Sequence, residues 1–143
     1  RISAANSVAV HVRRGDYVSN SKAQAFHGTL SPDWYTRAKT EIERRISGRP
    51  TYFVFSDDAQ WARRNLDSFA EAVFIPPPSD GGDAQDLHLM ALCKHQIIAN
   101  SSFSWWGAWL NKHQDKCVVA PRSWFRSPRI DTSDLIPSDW LRI

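Results

Sequence analysis

The sequence Val8-Ala-Val-His-Val-Arg-Arg-Gly-Asp-Tyr17 decides how this chain can fold, because β-branched residues pass without a break into two arginines, a glycine and an acid. The valines at positions 8, 10 and 12 predict a β-strand from Val8 to Arg13. In open α/β sheets, ligands bind beyond the carboxyl ends of the strands. Arg13 and Arg14 therefore lie where a phosphate group would bind, and a guanidinium group can hold two phosphate oxygens at once.

The rest of the chain alternates between strand and helix patterns. Further strands are predicted at residues 51–55, 72–75, 97–99 and 116–120. Helices are predicted after Ser31-Pro32-Asp33, after Ser56-Asp57-Asp58, and over residues 86–95 and 103–113. Polar loops are predicted over residues 19–29 and 76–83, and an irregular tail over 121–137. Strands separated by helices predict an α/β fold, a Rossmann-like parallel sheet with helices on both faces.

Length and composition restrict the class of protein. A chain of 143 residues with 42% hydrophobic content can bury one core, so residues 1–143 are expected to form a single domain. Eighteen basic and fifteen acidic residues leave a charge of +3, too small a surplus to indicate nucleic-acid binding, and two cysteines are too few for a disulfide scaffold. No apolar run approaches the roughly 20 residues of a membrane span. Because the chain starts at Arg1 and its single methionine is Met90, we expect a portion of a longer protein.

The residues around the first strand end suggest different roles. Alternation along a strand sends Arg13 and Arg14 to opposite faces, so one meets the ligand while the other braces the loop. Gly15 is expected to adopt a positive φ at the turn. Asp16 either orients an arginine or acts on a hydroxyl group. His11 shares a face with Arg13 and is either an interior group or a ligand contact.

Ser56-Asp57-Asp58 follows the second strand and faces the same crevice. Helix capping explains the serine and one acid, but not the second acid. Guanine presents two adjacent donors, N1–H and N2–H, which a carboxylate can accept together, so Asp57 or Asp58 is a candidate base reader. Asp86 is expected to cap the next helix, although helix caps in this position also border the crevice.

The second unusual segment is Asn100-Ser-Ser-Phe-Ser-Trp-Trp-Gly-Ala-Trp109, in which a strand turns through hydroxyl groups into an aromatic helix. One of Ser101, Ser102 and Ser104 should cap this helix, and the others with the free amides should bind phosphate. Two anion sites on one chain indicate a pyrophosphate ligand. The histidines show no paired ligand spacing and no Asp-x-Asp is present, so we expect neither a metal ion nor another cofactor.

Three segments resemble one enzyme family: His11-Val-Arg-Arg-Gly-Asp-Tyr17, Phe55-Ser-Asp-Asp58 and Cys93-Lys-His-Gln-Ile-Ile-Ala-Asn-Ser-Ser-Phe-Ser-Trp-Trp-Gly-Ala-Trp109. In residue type, order and spacing they resemble the α-1,2-fucosyltransferases, glycosyltransferase family 11. The resemblance implies an inverting transfer of L-fucose from GDP-fucose to the 2-hydroxyl of a galactoside. It also implies a two-domain GT-B architecture, of which this chain would be the C-terminal, donor-binding half, with the N-terminal acceptor-side half absent.

The resemblance also implies roles for individual residues. Arg13 and Arg14 would hold the β-phosphate, His11 with Asp57 or Asp58 would border the guanosine, and Asn100, Ser101, Ser102 and Ser104 would meet the pyrophosphate. Arg13 and Asp16 are the candidate catalytic residues. Asp16 is the nearest carboxylate for a general base, and an acid from the absent half or a relayed proton is the alternative. The implied partners are GDP-fucose, a galactose-containing glycan acceptor and the missing half of the enzyme, and no nucleic acid. The expected location is the cytoplasm or the membrane periphery of a bacterium, or the Golgi lumen of a eukaryote. A non-catalytic guanine-nucleotide-binding or carbohydrate-binding module is the alternative.

Overall fold

The computed structural model describes residues 1–77 and 82–143. The strands are β1 Ser7–Val12, β2 Thr51–Ser56, β3 Val73–Phe74, β4 His95–Ile97, β5 Val118–Ala120 and β6 Leu141–Arg142. The helices are α1 Gly15–Ser19, α2 Ser21–Phe26, α3 Pro32–Glu43, α4 Ala59–Asn65, α5 Asp83–Leu92 and α6 Ser102–Leu110, with a 3₁₀ turn at Asp67–Phe69. None of the described helices has the length and apolar character needed to cross a bilayer.

In the described residues the six strands form one sheet in the order β3-β2-β1-β4-β5-β6, and every neighbouring pair is parallel. This order is that of a doubly wound dinucleotide-binding sheet, and it confirms the predicted fold class. The direction of winding reverses between β1 and β4. A crevice is expected outside the carboxyl ends of those two strands, because the chain leaves them in opposite directions.

Strand β1 lies at the centre of the sheet and is buried along its whole length. Its even-numbered valines pack in one core with Ala38 and Ile42 of α3, whereas Ala9 packs on the other face with Met90 of α5. Helices therefore cover both faces. The buried Gln96 of β4 connects the sheet to α5 and α6, because its Nε2 donates to the carbonyl groups of Met90 at 2.7 Å and Gly107 at 3.1 Å.

The segment predicted as a loop over residues 19–29 is mostly helical, so that prediction was wrong. Helix α1 starts directly after the arginines, and α2 follows it. The Asn20 side chain caps α2 by accepting from the amides of Lys22 and Ala23. Each helix is at most six residues long, which is too short to show an apolar stripe in the sequence.

Other boundaries also differ from the prediction. Helix α5 begins at Asp83 rather than at Asp86, and β4 begins at His95. The tail ends in a short strand, β6, which pairs with β5 and continues through a hydrogen bond from the amide of Ile143 to the carbonyl of Ala120. Two residues carry no alternation that could have predicted this strand. Of the loop predicted over 76–83, residues 78–81 lie outside the described residues.

The central strand carries a buried histidine. His11 is 4% exposed, and its Nδ1 has no hydrogen-bond partner among the described residues. Burial, together with the positive charge of Arg13, lowers the pKa of His11 from 6.5 to about 3. The ring is therefore neutral in the folded protein at neutral pH.

This neutral histidine should make stability depend on pH. Between pH 6.5 and about 3 the unfolded chain binds a proton at His11 that the folded chain does not, so stability falls as the pH falls through this range. Relative to His11→Gln, the wild-type chain should lose up to about 1.4 kcal/mol of unfolding free energy per pH unit. Urea unfolding at several pH values between 4 and 7 measures this, and parallel curves for the two proteins would contradict it.

Candidate active site

The ends of β1, β2 and β4 bring the three unusual segments to one edge of the sheet. Strand β1 leads into Arg13, β2 leads into Asp57, and β4 is followed three residues later by Asn100. A cleft of about 280 Å³ opens at this edge. Its lining residues are His11, Arg13, Phe55, Ser56, Asp57, Pro77, Asp83, Asp86 and Phe103.

Arg13 lies in the cleft and is held by two carboxylates. Its Nη2 is 2.8 Å from Asp16 Oδ1, and its Nε is 3.3 Å from Asp57 Oδ2. Its guanidinium carbon also lies 5.5 Å from the centre of the Tyr17 ring. No hydrogen bond or ion pair in the described residues uses Nη1, so an oriented guanidinium group keeps one nitrogen for a ligand.

Arg14 packs away from the cleft, as strand alternation predicts for the residue next to Arg13. Its guanidinium carbon stacks 3.8 Å from the centre of the Trp61 ring on α4, and its Nε lies 3.7 Å from Asp58 Oδ2. Asp58 also caps α4 by accepting from the Trp61 amide at 3.0 Å. Arg14 and Asp58 thus brace α4 against the end of β1 and do not line the cleft.

Asp57 joins the ends of β1 and β2. Its Oδ1 accepts from the Arg14 amide at 2.8 Å while its Oδ2 contacts Arg13. The expectation of a positive φ at Gly15 was wrong, since the described positive-φ residues are Gly28 and Gly48. Gly15 is needed for a different reason: a Cβ atom there would lie 2.6 Å from Asp57 Oδ2.

The side chain of Asn100 bonds to the backbone of the protein. It is 2% exposed, and its Nδ2 donates to the carbonyl groups of His27, Gly28 and Trp124 at 3.0 to 3.2 Å. The backbone carbonyl of Asn100 accepts from the Tyr17 hydroxyl at 3.1 Å, whereas its side-chain Oδ1 has no hydrogen-bond partner among the described residues. The side chain therefore ties the β4 end to α2 and to the tail.

The three serines differ in their surroundings. Ser104 is fully buried, and its hydroxyl donates within the same turn, to the carbonyl groups of Ala99 and Ser101. Ser101 is the N-cap residue of α6 but makes no side-chain capping bond, so the expectation that one serine caps this helix was wrong. Ser102 is exposed. The first amides of α6 have no side-chain cap and are available to an anion.

His11 and Phe103 form one wall of the cleft. Their ring centres lie 5.4 Å apart. The neutral imidazole of His11 carries the unpartnered Nδ1 described above. An apolar ring beside a neutral polar ring suits a flat heteroaromatic ligand better than it suits a bare anion.

Two cleft residues, Asp83 and Asp86, were not among the predicted site residues. Both belong to the first turn of α5, three positions apart, so they share a face of that helix. Burial and then the neighbouring charge of Asp83 raise the pKa of Asp86. The available signal was the position of Asp86 near a helix start, where caps also border the crevice, but the sequence analysis favoured a capping role for it.

Within residues 1–77 and 82–143, no three His, Cys, Asp or Glu side chains are grouped closely enough to hold a metal ion. The absence of a metal requirement stays a prediction.

Comparison with known proteins adds the family. The model of the family described as "Glycosyl transferase family 11" matches residues 1–143. An O-antigen biosynthesis glycosyltransferase, WbnK, from Escherichia coli is 41% identical over 97% of this chain and 45% of its own length. An alpha-1,2-colitosyltransferase from the same organism is 38% identical over 96% of this chain and 48% of its own length.

A mammalian relative is more distant. The galactoside 2-alpha-L-fucosyltransferase SEC1 from Bos taurus is 35% identical over 72% of this chain and 28% of its own length. The chain spans about half the length of the bacterial relatives that it matches. The match of the family model over the whole chain, together with these bacterial relatives, shows that the chain belongs to glycosyl transferase family 11.

Proposed function

We propose that this chain is the donor-binding half of a GT-B glycosyltransferase that transfers L-fucose from GDP-fucose to the 2-hydroxyl of a galactoside. The main observation is the Arg13 guanidinium, held by Asp16 and Asp57 in the crevice beside the reversal of strand order. Such a crevice is the usual nucleotide site of a doubly wound sheet. The oriented positive charge suits the pyrophosphate of a nucleotide sugar.

In this proposal two groups stabilise the departing diphosphate. Arg13 has its unused Nη1, and α6 starts without a side-chain cap, so its first amides can donate to phosphate oxygens. Both groups are fixed before the ligand arrives. Fixed donors of this kind stabilise the negative charge that develops on the leaving nucleotide, without needing a metal ion.

The base would be read within the cleft, where His11, Phe103 and Asp86 lie. The sequence favoured Asp57 or Asp58 for this task, but Asp57 bonds to Arg13 and to the Arg14 amide, and Asp58 caps α4. Asp86 has no such bond in the described residues. We therefore assign the recognition of the guanine N1–H and N2–H donors to Asp86.

Asp16 would act at the reacting end of the donor. One carboxylate oxygen, Oδ1, orients Arg13, while Oδ2 has no hydrogen bond or ion pair among the described residues. The side chain is 53% exposed and can meet an incoming hydroxyl group. Asp16 thus positions Arg13 and is the candidate base that accepts the proton of the acceptor 2-hydroxyl.

The names of the relatives support a 1,2 linkage more firmly than they support fucose as the transferred sugar. A 1,2 linkage is part of the names of the bacterial colitosyltransferase and of the mammalian fucosyltransferases, whereas the transferred sugar differs between them. Fucose is implied by the resemblance of the sequence motifs to the α-1,2-fucosyltransferases. A donor titration with GDP-fucose, GDP-mannose and GDP tests whether the site selects fucose over mannose, and the proposal expects GDP-fucose to bind more tightly than GDP-mannose.

The two arginines provide a matched pair of variants. Arg13→Ala should weaken GDP binding by about 2 to 4 kcal/mol, because a positioned charge partner of the phosphate is lost. Arg14→Ala should change the affinity by less than about tenfold, or 1.4 kcal/mol, and should instead lower the melting temperature, because its guanidinium packs on Trp61. Isothermal titration calorimetry and thermal melting measure the two effects.

Circular dichroism on Arg13→Ala checks that the fold is retained. Equal losses of affinity in the two variants would contradict the assignment of Arg13 to the phosphate. A wild-type chain that does not bind GDP would refute the donor-binding role altogether.

The base assignment is tested by Asp86→Asn. The amide replaces one acceptor oxygen with a donor, so GDP binding should weaken by about 10- to 100-fold and the preference for GDP over ADP should fall. Asp33→Asn is the control, because Asp33 is an exposed carboxylate in the first turn of α3 and does not line the cleft. Titrations of both variants with GDP and ADP give the result. A preference that survives in Asp86→Asn would show that another group reads the base.

A further inference from the structure

The two proposed phosphate donors belong to separate elements of the fold. Arg13 follows β1, whereas the uncapped amides at the start of α6 follow Asn100, beyond the end of β4. The pairing between β1 and β4 ends at Val10 and Ile97, three residues before Arg13 and Asn100. The sheet ladder therefore does not by itself fix the distance between the two donors. That distance matters, because a diphosphate can use both groups only if their separation matches its own length.

Tyr17 spans this gap. Its hydroxyl donates to the backbone carbonyl of Asn100 at 3.1 Å, and Asn100 directly precedes Ser101, the N-cap residue of α6. The Arg13 guanidinium carbon lies 5.5 Å from the centre of the Tyr17 ring. Burial raises the pKa of Tyr17 above its usual value of 10.0, so the hydroxyl keeps the proton that it donates. One side chain thus contacts the first donor and the residue next to the second.

His11 and Phe103 also make a contact between the end of β1 and the start of α6. Their ring centres lie 5.4 Å apart. Ring pairs are favourable over centre separations of about 4.5 to 7 Å, so this contact permits some sliding. A hydrogen bond to a carbonyl group has a narrower range of lengths and angles. The hydroxyl of Tyr17 therefore restricts the spacing more closely than the ring contact does.

The Tyr17 ring is itself held in place. It is 7% exposed and stacks on His27, with the centres 4.4 Å apart and the planes 3° from parallel. The His27 ring in turn lies 4.8 Å from the Phe26 ring. The carbonyl of His27 accepts from Asn100 Nδ2 at 3.0 Å, so Asn100 stays joined to α2 without the Tyr17 hydroxyl. Removing the hydroxyl should therefore loosen the spacing without unfolding this part of the chain.

We propose that Tyr17 is a positioning residue that sets the distance between the Arg13 guanidinium and the first amides of α6, and thereby fits the site to a diphosphate. This inference rests on the proposed function, because both groups are taken as phosphate donors. A ligand with two phosphates uses both donors at once, whereas a ligand with one phosphate can settle against either. The Tyr17 hydroxyl therefore favours the binding of GDP over the binding of GMP.

The first test is Tyr17→Phe, which removes the hydroxyl group and keeps the ring beside Arg13 and His27. GDP binding should weaken about fivefold while GMP binding stays within about twofold of wild type, so the ratio of the two affinities should fall. Isothermal titration calorimetry with GDP and GMP measures this ratio, and urea unfolding measures the stability of the same proteins.

Tyr35→Phe is the matched control. The buried Tyr35 hydroxyl donates to the carbonyl of His11 at the same 3.1 Å, but this bond does not reach α6. The variant loses a comparable hydrogen bond, so it should lower the free energy of unfolding by a similar amount. Its ratio of GDP to GMP affinity should stay within about twofold of wild type.

A double variant tests whether Tyr17 acts through the spacing of the two donors. In the Arg13→Ala background one donor is missing, so adding Tyr17→Phe should change the GDP affinity by less than about twofold. A further fivefold loss in that background would overturn the inference, because the hydroxyl would then act independently of Arg13.

Equal losses of GDP and GMP affinity in Tyr17→Phe would also overturn it, and so would an unchanged GDP affinity. A Tyr17→Phe chain that no longer folds, as judged by circular dichroism, would show that the hydroxyl supports the fold rather than the spacing. The same fall of the ratio in Tyr35→Phe would have that meaning too. These results overturn only this inference, whereas a wild-type chain that does not bind GDP refutes the proposed function.

Discussion

The carboxylate of Asp57 determines the geometry of the site. It accepts from the backbone amide of Arg14 and contacts the Nε of Arg13, so the end of β2 holds the end of β1 in one conformation. The approach is so close that residue 15 has no room for a side chain. A charge-assisted pair of contacts of this kind directs the Arg13 side chain into the crevice. The cleft, the free guanidinium nitrogen and the start of α1 all depend on it.

Arg13 divides the edge of the sheet into two unlike regions. On one side lies a polar cleft with neutral His11 and the half-buried Asp86, and on the other lies a row of rings that ends at the exposed Phe26. In the proposed function, the cleft holds the nucleotide.

Much of this arrangement was predictable from local patterns. The alternating valines of β1 predicted a central strand, and the Ser31 side chain caps α3 at the Trp34 amide as its position before Pro32 indicates. The meeting of the three segments at one edge followed from the parallel sheet, because the carboxyl ends of parallel strands lie together. Helices α1 and α2 were missed because elements of five and six residues show no periodicity of their own.

The sequence by itself determined the fold class, the central strand, the family resemblance and the set of polar residues at the strand ends. Only the tertiary structure decided which of those residues are already in use. Asp57 bonds to a residue 43 positions away, and Asn100 bonds to carbonyl groups more than 70 positions away. Partners so far apart in the chain are chosen by packing, and a local pattern shows that a side chain can bind but not whether the fold has already satisfied it.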